Sequence, residues 1–209
     1  MIHRTALVET EHIGDSTNVW AYAHVMQGAR IGSNVNIGDH AFVESGAVVG
    51  SNVTLKNRVC VWEGVTIEDD VFVGPCVTFT NDKNPRSPRM EKVRQRYASR
   101  AGWLVPTLVR RGCSIGAAAT IVPGIELGAF SMIGAGAVVT KSVPPFALVC
   151  GSPAKRVADV CSCGQKLCGP FDQAICEHCG ETPADRIALL GVAVASPAVA
   201  EGGQVSTAS

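Results

Sequence analysis

The chain has no net charge: 18 Lys and Arg balance 18 Asp and Glu over 209 residues. No global field draws it to nucleic acid or to an anionic membrane, and neither is an expected partner. It has no apolar run approaching the roughly 20 residues that a spanning helix needs, so no membrane span is expected. The first residues hold no apolar stretch preceded by basic ones, so secretion is not expected and the cytoplasm is. Histidine is scarce where a metal centre would need it. The five stand at 3, 12, 24, 40 and 178, and none falls from 41 to 177.

Cysteine, by contrast, is abundant. Of nine, Cys60, Cys76, Cys113 and Cys150 are scattered where a small apolar residue would serve, and five cluster between Cys161 and Cys179. An odd count with that clustering fits a reducing compartment and a metal site better than a disulfide framework. The cluster reads Cys161-Ser162-Cys163-Gly164 and then Cys176-Glu177-His178-Cys179-Gly180. Paired cysteines followed by Gly resemble the knuckles of a zinc ribbon, in which four thiolates make a closed, structural site. The expected ligands of Zn2+ are Cys161, Cys163, Cys176 and Cys179. The first pair has a single intervening residue, which leaves Cys168 or His178 as possible substitutes.

The dominant pattern is a period of six. Ile13, Val19, Val25, Ile31, Ile37, Val43, Val49, Leu55, Val61, Ile67 and Val73 keep one phase, and it returns at Val109, Ile115, Ile121, Leu127, Ile133 and Val139. Four residues after each comes a small or β-branched side chain, as at Ala23, Ala29, Val53, Ala119 and Ala137. Six matches neither the 3.6 of a helix nor the 2.0 of a simple strand. It suits a short strand and a tight corner repeated, three units closing one triangular coil of about 18 residues whose strands stack at roughly 4.8 Å. The aliphatic points inward, and the small residue fills the space near the corner. Gly at the second position, with Asn34 and Asn52 at the fourth, is expected to supply unusual corner angles.

The period fails between Thr80 and Leu108, where Pro85, Glu91, Tyr97 and Trp103 occupy inward phases. Residues 80–108 must therefore leave the prism as a long loop, and loops of that length are usually either functional or disordered, a choice that the charge of this one decides for function. Between Asp82 and Arg100 it holds Lys83, Arg86, Arg89, Lys92, Arg94, Arg96 and Arg100 against Asp82 and Glu91 alone. The expected organisation is a β-helix over 1–157 with this insertion, a cysteine-rich module over 158–180, and a disordered tail over 181–209 with a short helix near Asp185–Ala195.

The run Val61-Trp62-Glu63-Gly64-Val65-Thr66-Ile67-Glu68-Asp69-Asp70-Val71-Phe72-Val73-Gly74-Pro75, followed by Phe79-Thr80-Asn81-Asp82-Lys83-Asn84-Pro85-Arg86-Ser87, resembles N-acetyltransferases of nucleotide-linked 3-amino sugars. So do Val19-Trp20 with His24-Val25, and the closing Ile133-Gly134-Ala135-Gly136-Ala137 and Gly151-Ser152-Pro153-Ala154-Lys155. The resemblance spans roughly residues 10–160. It implies an all-β, left-handed parallel β-helix, a homotrimer, acetyl-CoA as donor, and active sites in grooves between neighbouring prisms. Two subgroups, acting on UDP-linked and on dTDP-linked sugars, are not separated.

A sugar amine beside electron-withdrawing oxygens titrates nearer the α-amino value of about 7.7–8.0 than that of lysine, so a useful fraction is neutral without a protein base. Orientation then carries the rate. The resemblance places an Asn in catalysis at the loop exit, which makes Asn81 the expected catalytic position, with His24 as a second candidate. Arg86 suits an anionic group because its fork matches phosphate and carboxylate. Glu63 and Asn84 join it as expected substrate contacts. Lys141, Lys155 and Arg156 fall where the resembled enzymes hold CoA phosphates, and Ala119, Gly136 and Ala137 are small enough for pantetheine to lie along the coil backbone. Three alternatives stand beside this: an O-acetyltransferase of the same fold, which would need a placed base such as His24; a solenoid metal enzyme of the γ-carbonic-anhydrase type, for which residues 41–177 supply no histidine; and a non-enzymatic trimeric scaffold.

Overall fold

The computed structural model describes residues 1–191. A parallel β-helix forms, and its strands fall on three faces of seven, five and eight strands. The first face runs from Leu7–Val8 through His24–Val25, Phe42–Val43, Cys60–Val61 and Thr78–Phe79 to Thr120–Ile121 and Val138–Val139. The second carries Arg30–Ile31, Val48–Val49, Val65–Ile67, Thr107–Val109 and Glu126–Leu127. The third runs from Asn18–Val19 to Ala147–Cys150 and closes with Lys155–Asp159, which pairs antiparallel to it.

Most strands are two residues long with one side chain buried, which is what a period of six dictates: one residue inward, the next outward, then a corner. Val19, Ile37, Leu55, Val73, Ile115 and Ile133 are all at most 1% exposed and form one continuous column. Each contributes roughly 1.5–3 kcal/mol by burial. The small residues of the corners, among them Ala23, Ala29, Ala119 and Ala137, are buried in the same core.

The corners correct one expectation. Asn34 and Asn52 do adopt positive φ, at 56° and 58°. The second-position glycines do not. A Cβ on Gly32 would stand 2.5 Å from the Gly50 carbonyl carbon of the next coil, so these glycines let coils approach rather than bend the chain.

The insertion leaves the ladder intact. Partners in the regular coils lie eighteen residues apart, as in Val49 with Ile67, yet Ile67 pairs with Val109 and Val73 with Ile115 directly across it. The chain rejoins the prism at Thr107. Within the insertion, three 3-10 turns at Glu91–Val93, Arg96–Ala98 and Arg100–Gly102 contain no buried residue.

The cysteine-rich segment docks on the end of the prism. Val160 donates its N–H to the Phe146 carbonyl at 2.8 Å, and Phe171 packs on the buried Phe146 at 5.4 Å between ring centroids. The expected short helix occupies Pro183–Gly191. It packs into the module through Arg186, so the ordered unit continues past 180. The disorder expected for the rest of the tail falls on 192–209, outside the described residues.

Candidate active site

Where the last strand before the insertion, Thr78–Phe79, ends, Thr80 and Asn81 turn out over the Trp62–Gly64 corner one coil below. Asn81 Nδ2 donates to the Glu63 carbonyl at 3.2 Å. Its Oδ1 takes no protein partner among the described residues, leaving one acceptor at the mouth of the loop. Asp82 follows and gathers the insertion around itself. Its carboxylate accepts from the Tyr97 hydroxyl at 2.6 Å, from the Asn84 N–H at 2.9 Å and from the Arg96 guanidinium. Burial works against its charged form, but the Tyr97, Asn84 and Arg96 donors outweigh it and hold the carboxyl below the usual range.

Beside this knot lies a cleft of about 750 Å³ lined by Thr80, Lys83, Asn84, Gly124, Lys141 and Ser142, among others. Asn84 and Lys141 are thus brought to one place next to Asn81, with no histidine among the lining residues. Arg86 is exposed; its N–H reaches the Tyr97 hydroxyl at 2.9 Å and its Nη1 the Pro85 carbonyl at 3.1 Å.

His24 is elsewhere. It stands on the first face below Phe42, and the ladder continues through Cys60 to Thr78. Three coils at roughly 4.8 Å put it about 14 Å from the loop exit. Its Nε2 lies 3.4 Å from Glu9 Oε2 without the angle of a hydrogen bond, and its ring meets Phe42 edge-on at 5.4 Å. Within one chain His24 and Asn81 cannot act on the same atom.

The expected cofactor positions divide. Ala119 and Ala137 are fully buried, so they offer a ligand only backbone. Gly136 is exposed at a corner with φ 68°, and a Cβ there would meet nothing within 4 Å. Lys155 and Arg156 are exposed on the last strand of the third face, where Arg156 pairs with Asp159.

At the C-terminal end the Sγ atoms of Cys161, Cys163, Cys176 and Cys179 all lie within 4.8 Å of one another. Cys161 and Cys179 are 3.4 Å apart, and Cys163 and Cys176 are 3.7 Å apart. A tetrahedral zinc with Zn–S of about 2.3 Å requires S···S near 3.8 Å, so the four sulfurs fit the ion. Neither Cys168 nor His178 joins them. The Cys179 and His178 backbone N–H groups pull the Cys176 thiol down to about 6, whereas burial pushes the Cys161 and Cys163 thiols up.

Sequence reasoning missed the residues that support both places. Asp82 was legible only as a rare acid in a basic loop. Glu181, which accepts from the Ser162 N–H at 3.1 Å, gave no signal. Nor did Arg186, fully buried with Nη2 on the Ala174 carbonyl at 2.6 Å and the Phe171 carbonyl at 2.9 Å.

The repeats on both sides of the insertion match known transferase families. Residues 12–45 match the bacterial transferase hexapeptide (six repeats), and residues 109–141 match the hexapeptide repeat of succinyl-transferase. The chain thus carries hexapeptide repeats of the kind found in bacterial transferases. It is 45% identical over 75 residues to dTDP-3-amino-3,6-dideoxy-alpha-D-galactopyranose 3-N-acetyltransferase of Aneurinibacillus thermoaerophilus, covering 36% of this chain and 38% of that protein. It is 31% identical over 96 residues to galactoside O-acetyltransferase of Escherichia coli (strain K12), covering 46% and 44%. The chain thus spans less than half the length of either relative. Among solved structures, the acetyltransferase domain of PglB from Neisseria gonorrhoeae in complex with acetyl coenzyme A superposes with TM-score 0.47 at 20% identity, over 75% of this chain and 56% of that one.

Proposed function

We propose that the protein transfers an acetyl group from acetyl-CoA to the 3-amino group of a UDP- or dTDP-linked sugar, as a cytoplasmic homotrimer in the synthesis of surface glycan precursors. The observation that carries this reading is the make-up of the cleft beside Asn81. It holds an amide, lysines and hydroxyls, no histidine, and one carboxylate already engaged by Arg96 and Tyr97. Such a site orients an acceptor but cannot readily deprotonate a hydroxyl, and a sugar amine needs only orientation. The identity to an enzyme whose name states 3-N-acetylation of a dTDP-amino sugar supports the same choice.

In the reaction the neutral amine nitrogen attacks the thioester carbonyl carbon. The C–S bond breaks, CoA leaves as thiolate, and the amine proton is passed to solvent or to the leaving sulfur. Asn81 Oδ1 is the acceptor that aligns the amine N–H. Asn84 and Arg86 face the sugar nucleotide, and Lys141, Lys155 and Arg156 meet CoA phosphates. Gly136 leaves the corner open to pantetheine, and Ala119 and Ala137 keep the coil beneath it narrow. The four cysteines hold a structural Zn2+ that ties the C-terminal module together.

One observation favours hydroxyl transfer instead: the His24–Glu9 pair is a base with a carboxylate beside it, and a neighbouring prism could bring it to the cleft. A thiol-release assay with acetyl-CoA separates the two. UDP- and dTDP-linked 3-amino sugars are expected to release CoA while the matching 3-hydroxy sugars do not. Release by the hydroxy sugars alone would replace the amine reading.

A further inference from the structure

Two adjacent residues, Glu63 and Gly64, hold both ends of the insertion. At its exit, the Glu63 carbonyl accepts from Asn81 Nδ2 at 3.2 Å. At its return, the Val105 N–H reaches the Asn81 carbonyl at 2.9 Å and the Thr107 N–H reaches the Gly64 carbonyl at 3.1 Å. Gly64, at φ 83°, leaves room for Leu104, whose Cδ1 would lie 3.0 Å from a Cβ there. Glu63 is itself fixed from below, its N–H donating to Glu44 Oε2 at 2.8 Å.

The carboxylate of Glu63 does not face the cleft. Oε1 meets Arg100 Nε at 2.6 Å, with the Glu63 side chain 16% exposed and that of Arg100 71% exposed. Arg100 lies far along the insertion, beyond the Asp82 knot. The ion pair is therefore a side-chain tie between the body of the loop and the coil on which Asn81 rests.

We propose that Glu63 is a positioning residue, which latches the insertion over the cleft through Arg100 and so keeps the Asn81 amide in register, and is not a substrate contact. Its kinetic consequence rests on the acetyl-transfer reading above; its structural consequence does not. An exposed ion pair changes an opening equilibrium by at most about fivefold, so the latch biases the loop without locking it.

The insertion provides its own reporter, because Arg86, Arg89, Lys92 and Arg94 are exposed and have no acidic partner among the described residues. Limited trypsin digestion at these sites reads loop opening. Glu63→Gln and Arg100→Gln are each expected to speed cutting by up to about fivefold. The double variant should be no faster than either single one, since both remove one interaction. Arg100→Lys should stay near the wild type. In turnover, both single variants should lower kcat together and leave the acetyl-CoA KM unchanged. Unchanged cutting in Glu63→Gln, or single effects that multiply in the double variant, overturns the latch. A raised nucleotide-sugar KM in Glu63→Gln that Arg100→Gln does not share likewise overturns it and restores Glu63 as a substrate contact. Lack of transfer by the wild-type protein would sink the acetyl-transfer reading while leaving the digestion comparison able to test the latch.

Discussion

At the residue scale, Asp82 shows how a single carboxylate organises a segment without regular structure. Its donors lie two, fourteen and fifteen residues onward, in Asn84, Arg96 and Tyr97. No period connects them, so pattern reading could place the loop but not its knot. Because the folded pKa is depressed, the stabilisation is present above the unfolded value of about 3.9 and is lost as pH falls through the folded value. Tryptic-type sites cannot be probed in acid, but pepsin or hydrogen exchange can. Amides 84–104 should gain exchange sharply below about pH 3.9, after correction for intrinsic rates, while the coil amides hold. Asp82→Asn should show the loosened loop at neutral pH. Equal protection of the loop in wild type and Asp82→Asn would remove the knot from the account. Cys113 gives a complementary case: burial, only partly offset by Ser131, pushes its thiol up to about 12. It should resist alkylation in the native protein while the exposed Cys76 reacts, and equal labelling of the two would contradict the core packing.

At the scale of elements, the sequence was most legible where one rule repeats. The phase of Val19, Ile37 and Leu55 located the core because each coil asks the same thing of the same position. It located the exit of the insertion as well, since Thr80 and Asn81 directly follow the last in-phase strand. It misread the glycines, since a period shows that a position must be small and not whether backbone angle or coil contact makes it so. It expected the short helix after 180 but placed it in a disordered tail, because in sequence a buried Arg186 looks like any surface charge. The cysteine module, by contrast, showed through local spacing which cysteines would cluster. It meets the prism mainly through Val160, Phe146 and Phe171. Chelation, or Cys176→Ser with Cys179→Ser, should therefore raise exchange over 160–186 and leave the prism amides protected. Freshly purified protein should contain about one zinc per chain; none by metal analysis would remove the metal from the account.

At the scale of the whole molecule, a prism of short strands offers long faces and grooves rather than a closed pocket, and the two candidate groups stand about 14 Å apart along it. A trimer in which neighbouring prisms share a groove is the arrangement that would complete the site, and cyclic closure is a common solution for such subunits. Light scattering at micromolar concentration should give three times the 21.8 kDa chain mass; a monomer would leave each cleft open on one side and contradict the shared-groove reading. The central claim is that an amide aligns an already neutral amine, and steady-state kinetics of two variants with acetyl-CoA and a nucleotide-linked 3-amino sugar tests it most directly. Asn81→Ala should lower kcat on the order of 100-fold with little change in the acetyl-CoA KM, since misplacing reactants by about 1 Å costs that much. His24→Ala should cost less than about tenfold, because the acceptor is partly neutral near its own pKa of about 7.7–8.0. Loss of activity in His24→Ala with a nearly silent Asn81→Ala would contradict the account and replace amine alignment with base catalysis.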